Sequence, residues 1–271
     1  MSAMEAPKMN YLISKIDGSI GVITLNNPEK HNAFDDLLIA ELTAALVAME
    51  QSVEVRIVVI AAAGKSFSSG ADLNWMKRIA GYSPDENFRD AMGLGTLMKT
   101  LYGLKKPTIA RVHGAAYGGG VGLIACCDIA VGTRAAAFSL SEVKLGLIPA
   151  VISPYVMAAI GERASHRYFL TAEKFDAREA HRLGLLHEVV STDVEMDKAI
   201  GELCIALLVA GPNAQAECKS LIAAVANRPL DDDLVAETAQ RIARVRASSE
   251  GREGLAAFLE KRAPVWSGKT T

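Results

Sequence analysis

Apolar and polar residues alternate from Tyr11 to Lys15 and again from Ile20 to Leu25, with Asp17-Gly18 between the two runs. Side chains of a strand point to alternate faces, and Asp-Gly suits a tight turn, so the pattern predicts a β-hairpin. From Leu37 to Met49 the apolar residues recur at helical spacing. Val55 to Ala61 is an apolar, β-branched run, which predicts a buried strand. Asp85 to Leu104 reads as a helix, and Thr108 to Val112, after Pro107, as another short strand. Gly118 to Cys127 is helix-like but opens on glycines, and Asp128 to Val131 is a third buried strand. Strands alternating with helices imply an α/β fold with a parallel sheet and right-handed crossovers.

Beyond about Ser153 the pattern changes. Pro154 to Thr171, Ala177 to Leu183, Val194 to Ala210, Ala214 to Asn227 and Leu234 to Arg262 all carry helical spacing, with Pro212 and Pro229 between some of them. The expected organisation is an α/β core over residues 1–200 and a helical C-terminal region over residues 201–271.

Composition narrows the function classes. Of the 271 residues, 50% are hydrophobic and 22% charged, as in a globular protein with a sizeable core. A formal net charge of −2, without a stripe of Lys and Arg, argues against nucleic acid as a partner. No apolar stretch reaches the ~18 residues of a spanning helix, so no membrane partner is expected. Residues 1–9 lack a basic start followed by an apolar run, which argues against a signal peptide. Cys126, Cys127, Cys204 and Cys218 show no zinc or redox spacing. They read as small core residues in a reducing, cytoplasmic setting. The five histidines form no ligand pair at helical spacing, so no metal is expected.

Two glycine-containing turns each follow a predicted strand. The first is Lys65 to Leu73 and the second Gly114 to Gly122. Small residues let a ligand approach the main chain, and the second turn opens a helix whose N-terminus suits developing negative charge. A Rossmann site is disfavoured because no clean G-x-G-x-x-G sits at the first strand–helix turn, and a P-loop is excluded by the missing G-K-[ST]. Glu142, just before Val143 to Pro149, is the best candidate for proton transfer. His113 and Tyr117 read as packing residues beside the second turn, Trp75 and Met76 as pocket wall or core, and Asp128 as a structural hydrogen-bonding residue.

Several runs through nearly the whole chain resemble the enoyl-CoA hydratase/isomerase (crotonase) superfamily. They are Asn27 to Ala33, Phe67 to Leu73, Lys106 to Ala110, Gly114 to Gly122 with Cys127-Asp128-Ile129, Ser141 to Pro149, and Glu253 to Arg262. The resemblance implies a spiral of ββα units with a helical trimerisation region, in homotrimers or hexamers. It implies an acyl-CoA substrate and no separate cofactor, coenzyme A entering as part of the thioester. It assigns the backbone N–H groups of Ala71 and Gly119 to an oxyanion hole and makes Glu142 catalytic. It places Lys30, Ala33, Ser69, Gly70, Asp72, Leu73, Gly118 and Gly122 along the substrate and CoA path. Phe258 and Lys261 would help enclose CoA, commonly that of a neighbouring subunit.

Many hydratases of this family use two glutamates, and at the first of those positions this chain has Gly122. The expectation is that the missing carboxylate frees volume beside the acyl group. The runs Gly70 to Arg78, Ala125 to Ala130 and Pro149 to Tyr155 most resemble the bacterial branch acting on 3-methylglutaconyl-CoA and carboxygeranoyl-CoA. The expected activity is therefore hydration of a branched enoyl-CoA, with single-glutamate double-bond isomerisation as the alternative. A substrate with its own carboxylate calls for a cation, for which Lys77, Arg78, Lys144 and Arg163 are available.

Overall fold

The structure, a computed structural model, describes residues 11–267. The signal-peptide reading of residues 1–9 lies outside them. The predicted hairpin forms from β1 (Leu12–Asp17) and β2 (Ile20–Leu25), paired antiparallel. α1 (Asp36–Gln51) follows, capped by the Asp35 carboxylate, which accepts from Leu38 N. Its Leu38, Leu42 and Leu46 are fully buried at helical spacing. The apolar run becomes β3 (Ile57–Ala62), buried along its whole length.

From β3 onward the chain advances by a repeated unit of one longer strand, one very short strand and one helix, or two in the first unit. The first unit is β3, β4 (Ser66–Ser68), α2 (Leu73–Ile79) and α3 (Pro84–Tyr102). The second is β5 (Thr108–Val112), β6 (Ala115–Tyr117) and α4 (Gly119–Cys126). The third is β7 (Ile129–Thr133), β8 (Ala137–Ser139) and α5 (Ser153–Thr171), in which Gly161 breaks the helical geometry. β9 (Phe175–Asp176), α6 (Ala177–Leu183) and β10 (Glu188–Val190) complete the layer. The five longer strands and the three-residue β10 build a six-stranded sheet in the order β1-β2-β3-β5-β7-β10, parallel except for the hairpin. The short strands build a second sheet in the order β4-β6-β8-β9.

This second sheet goes beyond the sequence expectation. Strands of two or three residues are too short to show an alternating pattern, so periodicity does not mark them. The apolar core gathers α1, α3, α4 and the inner strands around Phe34, Phe67, Phe138 and Met98. Asp128 settles into a structural role. Its carboxylate accepts from Thr108 N at 2.8 Å and from Thr108 Oγ1 at 2.9 Å, while Asp128 N donates back to Thr108 Oγ1. The reciprocal bonds join β5 to the start of β7.

The chain divides into two compact units. One runs to Leu104 and from Thr108 to Ile200; the other takes Lys105–Pro107 and the chain from Gly201. α7 (Asp193–Leu208) ends in the second unit, which also holds α8 (Pro212–Val225), α9 (Asp232–Ala247) and α10 (Ser249–Leu259). The long helical run after Leu234 is thus two helices. Ser248 is extended and its hydroxyl accepts from Gly251 N, which ends α9 and caps α10. Within this unit Glu250 accepts from Asn213 N and Ala214 N at the start of α8. Among the described residues no helix is long and apolar enough to cross a membrane. Cys126 and Cys204 are buried, as a core reading requires, but Cys218 is exposed on α8, where its helical register faces solvent.

Candidate active site

The two glycine-containing turns meet. Gly70 and Gly118 both adopt positive φ, at +90° and +48°, which only glycine takes without strain. Their backbones lie so close that a Cβ on Gly118 would sit 4.0 Å from the Gly70 Cα and one on Gly70 would sit 3.4 Å from the Tyr117 oxygen.

Each turn presents an N–H group. Phe34 N donates to Gly70 O at 2.6 Å, and Asp72 N donates to Phe34 O at 2.8 Å. This parallel bridge uses the groups on either side of Ala71 and leaves the Ala71 N–H itself turned away from Phe34. Gly119 is the first residue of α4, where an N–H has no partner inside the helix and the dipole is positive.

Glu142 opens a single 3-10 turn, Glu142–Leu145, that follows β8. Its carboxylate is aimed at the second glycine turn: a Cβ on Gly118 would lie 2.9 Å from Glu142 Oε1. Glu142 Oε2 is buried and, among the described residues, has no hydrogen-bond partner. Burial raises the Glu142 pKa above the ordinary carboxylate range. Such a shift makes the carboxyl group a better proton acceptor than an ordinary carboxylate.

A cavity of about 370 Å³ joins these groups. Ser69, Gly70, Ala71, Gly118, Gly119 and Glu142 all line it, so six of the expected site residues come together. Its walls are mostly apolar, with Trp75, Met76 and Ile79 from α2 and Val151 and Ile152 from just before α5. Trp75 and Met76 are pocket wall, one of the two roles the sequence left open for them. Sequence reasoning missed Phe34, Ser141 and Asp90. Asp90 accepts from Trp75 Nε1 at 2.9 Å and so fixes one wall. Phe34, next to Ala33 in the first motif, and Ser141, which opens the motif containing Glu142, had their places hinted at; Asp90 had no such signal.

Other expected residues fall elsewhere. Asp72 caps α2, accepting from Asn74 N and Trp75 N, and pairs with Lys30 Nζ at 3.1 Å. Burial works to raise the Asp72 pKa, but the hydrogen bonds from Trp75 N, Lys30 and Asn74 N outweigh it and hold the group below its ordinary value. With both oxygens engaged, Asp72 supports the turn and does not line the cavity. Lys30, the buried Ala33 and the exposed Leu73 are also outside the lining. Phe258 and Lys261 belong to the second unit, where Phe258 is 81% exposed.

Gly122 requires a correction. It is buried in α4 and does not line the cavity. A Cβ there would lie 2.3 Å from Ile152 Cγ2 and 3.2 Å from Met98 Cε. The volume expected to stand open beside the acyl group is filled by those two side chains.

The available cations are also placed. Lys144 Nζ donates to Ala172 O at 2.9 Å at the end of α5, and Arg78 pairs with Asp36. Arg163 lines a different groove, on α5 and α6. Lys77 and Arg78 are exposed on α2, and none of the four lines the cavity.

The family model described as Enoyl-CoA hydratase/isomerase matches residues 15–269. The crystal structure of an enoyl-CoA hydratase from Shewanella pealeana is similar with a TM-score of 0.93 and 44% identity, covering 96% of this chain and 97% of that one. An enoyl-CoA hydratase of Alternaria alternata is 32% identical over 95% of this chain and 84% of its own length. The 1,2-epoxyphenylacetyl-CoA isomerase of Escherichia coli is 31% identical over 96% of this chain and 100% of its own. The α/β fold of ββα units agrees with these relatives, and the chain belongs to the enoyl-CoA hydratase/isomerase family.

Proposed function

We propose that this enzyme adds water to, or removes it from, an α,β-unsaturated acyl-CoA, with Glu142 carrying the proton. The observation that carries the reading is the buried Glu142 oxygen, without a partner among the described residues, in a cavity that Ala71 and Gly119 also line. In hydration, Glu142 takes a proton from water as its oxygen bonds to C3. Electrons move through C2 onto the thioester oxygen, where two preorganised N–H donors stabilise the charge by several kcal/mol. Glu142 then returns the proton to C2. One carboxylate thus serves as base and acid in turn.

The filled position at Gly122 favours a second reading, isomerisation. No carboxylate stands on α4 to hold water, and a 1,3-shift of a proton between C4 and C2 needs Glu142 alone. Product mass in heavy-oxygen water separates the two: hydration inserts one solvent oxygen, and isomerisation inserts none. The proposed acyl group is branched, as in 3-methylglutaconyl-CoA. The apolar cavity wall suits a methyl branch, and a terminal carboxylate would have to reach solvent, since none of Lys77, Arg78, Lys144 and Arg163 lines the cavity. Crotonyl-CoA and 3-methylglutaconyl-CoA should be assayed side by side. Far faster hydration of crotonyl-CoA would sink the branched reading.

Assembly is part of the same proposal. α10 exposes Leu255, Phe258 and Leu259, an apolar surface fit for burial against another copy. Light scattering should give the mass of a trimer or hexamer. An active monomer at micromolar concentration would remove any role for Phe258 and Lys261 at a neighbour's CoA.

A further inference from the structure

The motif Asn27 to Ala33 contains a residue that the functional reading leaves unused. Asn32 is fully buried and sits at φ +53°, directly after His31 at φ +52°. Two successive non-glycine residues in the left-handed region are strained, and such strain persists only where the surroundings hold it. Here they do. Asn32 Nδ2 donates to Ala63 O and to Ser66 O, both at 2.9 Å, and Asn32 Oδ1 accepts from Asn27 N at 2.9 Å. Both amide hydrogens and the amide oxygen are thereby used.

This residue fixes a template for the first glycine turn. Residues 31–34 run beside residues 68–72, bonded through His31, Asn32 and Phe34. Ser69 N donates to His31 O at 2.9 Å, and Ser68 Oγ donates to Asn32 O at 2.8 Å. Phe34 then brackets Ala71 through its own N–H and carbonyl. Ser68 is fully buried as well, and its Oγ also accepts from Gly70 N at 3.4 Å.

The same residues reach the second donor. A Cβ on Gly120 would lie 2.9 Å from Ser68 Cβ and 3.1 Å from Ser68 O, so α4 packs its first turn directly on Ser68. A Cβ on Gly119 would lie 3.4 Å from the Phe34 ring. Ser68, within the first turn, and Phe34, bonded to that turn, therefore both touch the second.

We propose that Asn32 and Ser68 are positioning residues that set the spacing between the Ala71 and Gly119 N–H groups without touching substrate. The proposal rests on the reading of those two groups as the oxyanion donors. Misplacement of a donor pair weakens its grip on the transition state more than on the ground state.

The test uses Ser68→Ala, which deletes the hydroxyl without adding volume against Gly120, and Asn32→Asp, which keeps size but removes the two amide donors. Steady-state kinetics is paired with the absorbance of a bound chromophoric aryl-enoyl-CoA, whose red-shift reports polarisation of the thioester carbonyl. Wild type should show the shift. Ser68→Ala should show a smaller one, with kcat down by about tenfold or more and KM changed less. Asn32→Asp, where it folds, should go the same way. Wild-type kcat and an undiminished shift in a Ser68→Ala protein of lower thermal stability would make the role merely structural and overturn the proposal. Absence of any shift in wild type would overturn the donor reading itself, and this proposal with it.

Discussion

Glu142→Gln should lower turnover by at least about 10²-fold while leaving the protein as stable at neutral pH as the wild type, or more so. The substitution keeps the size of the side chain and removes its ability to take up and return a proton. The stability half follows from burial. The folded protein holds the Glu142 proton more tightly than the unfolded chain does, because burial raises the folded pKa above the ordinary 4.5. Stability from this group is therefore fully present below pH 4.5 and is lost as pH rises through the raised folded value. A glutamine loses nothing over that window. Thermal midpoints measured from pH 4 upward should show the variant gaining on wild type through that range. Its catalysis should stay low throughout, while wild-type kcat/KM rises with pH through the same raised value as the base ionises. Near-normal turnover in a folded variant would reject Glu142 as the acid/base.

The second large effect is at Gly122. Restoring a glutamate there should not create an efficient crotonyl-CoA hydratase; it should damage the fold. The first added carbon would lie 2.3 Å from Ile152 Cγ2 and 2.9 Å from Ile152 Cβ. Overpacking of this kind typically costs about 1–3 kcal/mol, and a buried carboxylate without a partner adds to the cost. α4 has to shift to make room, and α4 begins with Gly119. Turnover should therefore fall on straight and branched substrates alike, with a lower midpoint in urea. Wild-type stability together with new crotonyl-CoA hydration would show that Ile152 yields easily and that only the missing carboxylate separated this enzyme from its two-glutamate relatives.

Gly122 also marks a boundary of what the sequence could tell. Its departure from the two-glutamate pattern is visible in the chain, but its consequence is not. A deleted side chain leaves a hole only if nothing else fills it, and the residues that do, Met98 and Ile152, come from α3 and from the cap position before α5. Core packing joins positions far apart in the chain, and periodicity within one element is silent about it. The longer strands were legible because β2, β3, β5 and β7 are long enough to show either alternation or a continuous apolar run. The two- and three-residue strands were not.

Glu142, Ala71 and Gly119 could be placed because each lies in a motif next to a strand or a helix start. Asp72 was legible as a helix-start acid yet was also expected on the CoA path. The structure gives its oxygens to α2 and Lys30. Ser68 and Asn32 carry no such signal. A buried serine and a buried asparagine look like any polar residues until the backbone groups they bond are known.

If Glu142 moves the proton at the carbon beside the thioester, deuterium from heavy water should enter that carbon of a bound acyl-CoA through it, which labelling by wild type and Glu142→Gln side by side will reveal. Rapid labelling by wild type and labelling at least about 10²-fold slower by the variant is the expected result. Equal rates from a correctly folded variant would contradict it.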